Sequence, residues 1–298
     1  MPVVIKNMSA RTNEVVNFDM GAPVVAHVVG ISYWKFQYGG SNPFGLPGPD
    51  HHVMRLGLGV SSIKNGQQVQ CTVAGALSDD SGAGIDHANS TVRLVCMAVT
   101  SAEDDQFHMT QVNGVQSGQS GGELALSPTA RSVEQALLNG WDLAYSGEDH
   151  HMKNLALGVD FNANGSRASL TARARMADDS GHSDDGTASG ALFTAGMSQV
   201  TLLSSLLPPT QSFGPINMNF GRKIKSAGVF IRGLSIAFSG DDHHIRTIGG
   251  GVSEFTWSES VLNLREANAF MTDSSGHSQS NATTSSYVNL VAFAVVKS

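Results

Sequence analysis

Charge is scarce in this chain: Asp, Glu, Lys and Arg together make up 14% of its 298 residues, and the 18 Lys and Arg are outnumbered by 25 Asp and Glu. A formal charge of −7 leaves no basic surplus to neutralise phosphates, which argues against a DNA- or RNA-binding surface. Long hydrophobic runs are missing too. None approaches the roughly 18 apolar residues of a membrane span, and the opening "MPVVIKNMSARTNEVV" has neither the basic start nor the apolar stretch of a signal peptide. The expectation is synthesis in the cytoplasm without a signal peptide, followed by retention there, release by another route or incorporation into a particle. Cysteine is rarer still. Cys71 and Cys96 both fall in expected strands, as buried free thiols or as one disulfide between paired strands. A phosphate-binding Gly-x-x-x-x-Gly-Lys-Ser/Thr loop, a dinucleotide fingerprint and a persuasive Ser/His/Asp order are also wanting, so no enzyme is expected.

Glycine, by contrast, is abundant at 33 residues, and Ser and Thr are frequent, the composition of strands joined by many tight turns. The expected class is all-β.

One short pattern recurs three times. Asp50-His51-His52, Asp149-His150-His151 and Asp242-His243-His244 stand roughly a hundred residues apart. Upstream of them lie "WKFQYGG", "WDLAYSG" and "LSIAFSG", each alternating apolar residues and ending in glycine, the pattern of a strand closed by a turn. The first copy alone inserts "SNPFGLPG" before its histidines, a surface loop by composition. Downstream, "HHVMRLGLGV", "HHMKNLALGV" and "HHIRTIGGGV" alternate again, with Leu56, Leu58 and Val60, Leu155, Leu157 and Val159, and Ile248 and Val252 on a common core face. Each copy then reaches an Asp-x-Ser-Gly turn, at Asp79, Asp178 and Asp273, and closes on an apolar strand.

These matched features predict three tandem antiparallel β-sandwich repeats, 1–112, 113–207 and 208–298, arranged as a pseudo-threefold trimer. Linkers are expected at 112–122 and 204–215, where turn residues are dense, and a helical turn or two in "SVEQALLNG" and "MSQVTLLSSLL". Counting parity back from the core strands puts His52, His151 and His244 at the rim of the core face. His51, His150 and His243 then point the other way, in line with Gly57, Ala156, Gly158, Gly249 and Gly251. Such a face of small residues permits close approach of a neighbouring sheet and would bring those three histidines together on the axis.

Imidazoles around an axis suit a transition metal, so His51, His150 and His243 are the candidate metal ligands. The bland alternative is that the aspartates accept hydrogen bonds from turn amides while the histidines cap strand ends. Asp79, Asp178 and Asp273 fit ordinary turn chemistry, and equally a polar loop that holds a sugar or a divalent ion. With the three Asp-His-His triplets they complete the set of candidate ligand-binding residues. Asp80-Ser81-Gly82 and Asp179-Ser180-Gly181 match the aspartic protease signature only superficially, since the third copy has Ser274 and the preceding residues are polar. The Asp-His-His phosphoesterases differ in being α/β.

The order of strand, turn, polar residues, core strand, Asp-rich loop and closing strand, as in "FIRGLSIAFSGDDHHIRTI" followed by "YVNLVAFAVV", resembles the compact sandwich of H-type lectins. That resemblance implies trimers and N-acetylgalactosamine-like sugars as ligands. The tryptophan-bearing last strands of that family are absent here, and no binding residue is carried over. Two functions are therefore expected: a carbohydrate-binding protein with three linked modules, or a structural component of a large assembly, such as a virion or contractile injection particle, meeting copies of itself or other assembly proteins.

Overall fold

Strict alternation, not propensity alone, makes these residues strands: Leu56, Leu58 and Val60 are buried on one face, and the facing Val69, Val73 and Leu77 complete the packed side of a hairpin. The computed structural model describes residues 3–40, 50–100, 107–126, 131–196, 202–210, 215–238, 240–274, 278–279 and 286–297. The first segment carries β1 (Val3–Arg11), β2 (Val15–Asp19), β3 (Ala26–Gln37), β4 (Arg55–Asn65), β5 (Gln68–Ser78) and β6 (Thr91–Val99). The second carries β7 (Phe107–Gln116), β8 (Ser120–Ala125), β9 (Arg131–Ala144), β10 (Asn154–Asn164), β11 (Arg167–Ala177), β12 (Ser183–Asp185) and β13 (Thr187–Gly196). The last carries β14 (Leu202–Thr210), β15 (Ile216–Asn219), β16 (Ile224–Ala237), β17 (Thr247–Val252), β18 (Phe255–Ser258), β19 (Val261–Leu264), β20 (Ala267–Thr272), β21 (Ser278–Gln279) and β22 (Tyr287–Val296). The chain is all-β, with no helix among the described residues.

Each large sheet is assembled from two segments. Their orders are β1-β6-β3-β17-β20-β21, β2-β5-β4-β9-β13-β7 and β12-β11-β10-β16-β22-β14, with β8 also against β11 and a small β15-β19-β18 sheet beside them. The joins are short and antiparallel. β4 meets β9 from Arg55↔Ala144 to Gly59↔Gly140, β10 meets β16 from Asn154↔Ala237 to Gly158↔Gly233, and β17 meets β3 from Thr247↔Gln37 to Gly251↔Tyr33. At matched positions beyond each join one strand bulges, leaving Ser32, Asn139 or Arg232 without an opposite number. The first segment thus pairs with the second, the second with the third, and the third with the first.

Two cores result. The larger fills the space between facing sheets. The smaller draws on all three segments, gathering Val28 and Val95, Leu137 and Phe193, and Phe230 and Phe293.

Several sequence expectations are corrected. "SVEQALLNG" lies in β9, paired along its length by β13 and meeting β4 at Gly140, and the described part of "MSQVTLLSSLL" lies in β14; strand pairing overrides the helical tendency of isolated Leu- and Gln-rich stretches. The stretch expected as a linker at 112–122 is instead the end of β7, a turn and β8, with the chain bent by Gly114, Gly118 and Gly122 at positive φ. Of the other, 204–210 belongs to β14, so positions 112 and 207 fall inside strands. The 41–48 insertion lies outside the described residues. Cys71 and Cys96 are buried free thiols, and burial pushes the Cys71 thiol up to about 12. No helix among the described residues is long and apolar enough to cross a membrane.

Candidate functional site

The three Asp-His-His triplets sit together, tied by backbone bridges between segments. His51 exchanges two hydrogen bonds with Ile245 at 3.0 and 2.8 Å, Val53 with His150 at 2.8 and 3.1 Å, and Met152 with His243 at 3.0 and 3.2 Å. The circuit of pairs closes on itself.

Within each pair the two histidines behave differently. The first faces the leading aspartate of the Asp-x-Ser-Gly motif of its own segment: His51 Nδ1 lies 2.8 Å from Asp79, His150 Nδ1 3.3 Å from Asp178, and His243 Nδ1 3.4 Å from Asp273. In the turn, Asp79 accepts from Ser81 Oγ at 2.6 Å and the Ala83 amide at 2.7 Å, and Asp178 accepts from Ser180 Oγ at 2.6 Å and the His182 amide at 2.7 Å. This is the turn chemistry expected of the motif. An aromatic ring flanks each first histidine: Tyr38 at 4.9 Å, Tyr145 at 4.8 Å and Phe238 at 4.6 Å.

The second histidine reaches across to the next segment. His52 Nδ1 is 2.8 Å from Asp149, His151 Nδ1 3.0 Å from Asp242, and His244 Nδ1 3.6 Å from Asp50. The other oxygen of each carboxylate accepts a backbone amide hydrogen, from Asp80 at 3.2 Å, Asp179 at 3.2 Å and Ser274 at 3.1 Å. The three rings stand edge to face with centroids 4.5, 4.5 and 4.6 Å apart.

It is therefore His52, His151 and His244 that meet, and not His51, His150 and His243 as the parity argument expects. The side chains of the first histidines are 20, 20 and 22% exposed, against 38, 39 and 40% for the second, so the assigned facing is reversed. The cause is a break in the pleat. Buried Val53 and Leu56 are three residues apart, as are Met152 and Leu155, and Ile245 and Ile248, so the alternation slips by one residue between them. The apolar residue after every double histidine was the readable sign of that slip. The small-residue face does permit close approach, but to the strand beside it: a Cβ on Gly249 would lie 2.4 Å from the Trp34 carbonyl oxygen.

Electrostatics follow from this wiring. Burial works against Asp50, Asp149 and Asp242, yet amide and histidine donors outweigh it and hold all three below the usual carboxylate range. Burial, and then the neighbouring His52 and His151, lowers His244. Burial would raise Asp178 as well, but Ser180 and both donors of His182 overcome it and hold this carboxylate at about 2. Depressed in the folded state, Asp178 contributes stability that is fully present above the unfolded value near 4 and is lost as pH falls toward about 2; linkage makes this about 2 kcal/mol. Urea melts at about pH 5 and pH 2.5 are expected to differ by that amount more in the parent than in Asp178→Asn. An equal acid loss in both would contradict this assignment.

His182 was not singled out from the sequence. It stacks on His150 at 4.1 Å and shares Asp178 at 2.8 Å, forming a second group with ligand spacing. Its signal was "DDSGHS", where the first segment has "DDSGAG".

A separate groove of about 320 Å³ opens where β4 and β5 approach β9 and β13, floored by Gly57, Gly59 and Gly75 and rimmed by Arg55, Asp142 and Ser189. Arg55 holds Asp142 with two bonds, at 2.9 and 3.0 Å. At the matched place between β10 and β16 only about 70 Å³ remains, because Arg232 pairs with Asp160 at 2.7 Å and Arg173 reaches Tyr287. None of the residues expected to bind ligand lines either groove. No protein-family model matches the chain, and no curated protein matches it.

Proposed function

We propose that this chain is a non-enzymatic scaffold, three β-sandwich repeats folded as a covalent pseudo-threefold trimer, which takes a three- or sixfold position in a larger assembly of its own copies or of other proteins. The observation that carries the reading is the closed circuit: three sheets, each shared by two segments, and three Asp-His contacts running from first to second, second to third and third to first. Such wiring holds the three segments in one frame, which suits a neighbour of three- or sixfold symmetry. Sedimentation velocity with electron microscopy over a concentration series tests it. Rings, filaments or other defined oligomers are expected; a monomer at every concentration that binds glycans saturably would overturn the reading.

Carbohydrate recognition is a second reading, favoured by the groove at Arg55 and Asp142, whose paired donors and acceptors above a glycine floor suit sugar hydroxyls. The likeness to H-type lectins directs it to N-acetylgalactosamine-like sugars. Unequal grooves argue against three equivalent sites, and so against avidity as the purpose of the fusion. On this reading glycan-array signals vanish in Arg55→Ala; signals that persist there would move the sugar elsewhere.

A further inference from the structure

His52, His151 and His244 do more than join neighbouring segments. His52 and His151 hydrogen-bond through Nδ1 to Asp149 and Asp242, and an ionised carboxylate only accepts, so Nδ1 carries the proton there and the lone pair is left on Nε2; His244 presents Nδ1 to Asp50 at the longer ion-pair distance of 3.6 Å. One ring nitrogen from each of the three lies within 4.8 Å of those of the other two. Three partly exposed imidazoles, each from a different segment and each fixed by an outer carboxylate, make the donor set of a three-histidine metal centre.

We propose that His52, His151 and His244 bind one divalent transition ion per chain through Nε2, with Zn²⁺ the ion best suited, and that Asp149, Asp242 and Asp50 orient these ligands from the outer shell. Zn–N bonds of about 2.0–2.1 Å at tetrahedral angles place ligand nitrogens roughly 3.4 Å apart, so nitrogens that now lie within 4.8 Å of one another need close by up to about 1.4 Å. The exposed side of the ring leaves the fourth position to water. A histidine-only nitrogen set favours Zn²⁺, Ni²⁺ or Cu²⁺ over Mg²⁺ or Ca²⁺, which prefer oxygen. The ion would bind all three segments at once and so would stabilise the folded chain alone.

This inference goes beyond the scaffold reading and does not depend on it, since the three histidines meet whatever the chain's partners. The full chain, stripped with chelator, is titrated with Zn²⁺ by calorimetry, and its cobalt-substituted form is recorded by absorption. One ion per chain and intense tetrahedral d–d absorption are expected. His151→Ala should weaken binding by at least about 100-fold and Asp149→Asn by about 10–100-fold, while His182→Ala, in the other histidine group, leaves it unchanged. Absent stoichiometric binding, or weak octahedral absorption, would overturn the proposal without recourse to any variant. Binding retained by a folded His151→Ala, or lost in His182→Ala, would overturn it equally.

Discussion

Gly140→Ala is expected to destabilise the folded chain by about 3 kcal/mol or more, whereas Gly59→Ala, at the residue directly opposite, is expected to change stability by less than about 1 kcal/mol. The two glycines pair at the end of the β4–β9 join, but they face different surroundings. A Cβ on Gly140 would lie 2.5 Å from the Leu58 carbonyl oxygen, and backbone in a paired strand has no rotamer by which to withdraw. Nothing lies within 4 Å of a Cβ on Gly59. Alanine there also removes freedom from the unfolded chain, which partly offsets any local strain. Urea midpoints of the two variants measure the contrast; equal losses would mean that β4 and β9 are not joined at this point.

Phe230→Ala is expected to cost about 3–5 kcal/mol, the range for emptying a fully buried aromatic site. The ring packs edge to face with Phe293 at 5.6 Å in the core that all three segments share. It also occupies the space over Gly30, where a Cβ would lie 2.6 Å from its Cδ1. Gly30→Ala alone should therefore destabilise by overpacking, and in the Phe230→Ala background it should recover part of the loss by refilling the void. Additive losses in the double variant would show that the first and last segments do not touch there.

Local chemistry in this chain was legible. Alternation around Leu56 and Leu155 marked the core strands, and Asp79 and Asp178 in Asp-x-Ser-Gly form the turns that those residue types favour. What could not be read is which strand each one pairs with. The pattern from Arg55 to Gly59 is the same whether its partner is a strand of its own segment or β9 of the next, because alternation reports a buried face and not a neighbour. The helical expectation for "SVEQALLNG" failed for the same reason: Leu137 and Leu138 are both buried, on opposite faces, one in the shared core and one in the sandwich core. For the histidines, the slip between Val53 and Leu56 reversed the facing, so the member of each pair that meets its counterparts is the second and not the first.

Interlocking has one thermodynamic signature. If sheets are shared around a closed circuit, no segment keeps its sheets when another unfolds, and the chain must melt as one unit. Differential scanning calorimetry of the metal-free chain, under conditions where unfolding reverses, is predicted to give a calorimetric enthalpy equal to the van't Hoff enthalpy. A calorimetric value about three times the van't Hoff value, as for three independent domains, would contradict the account.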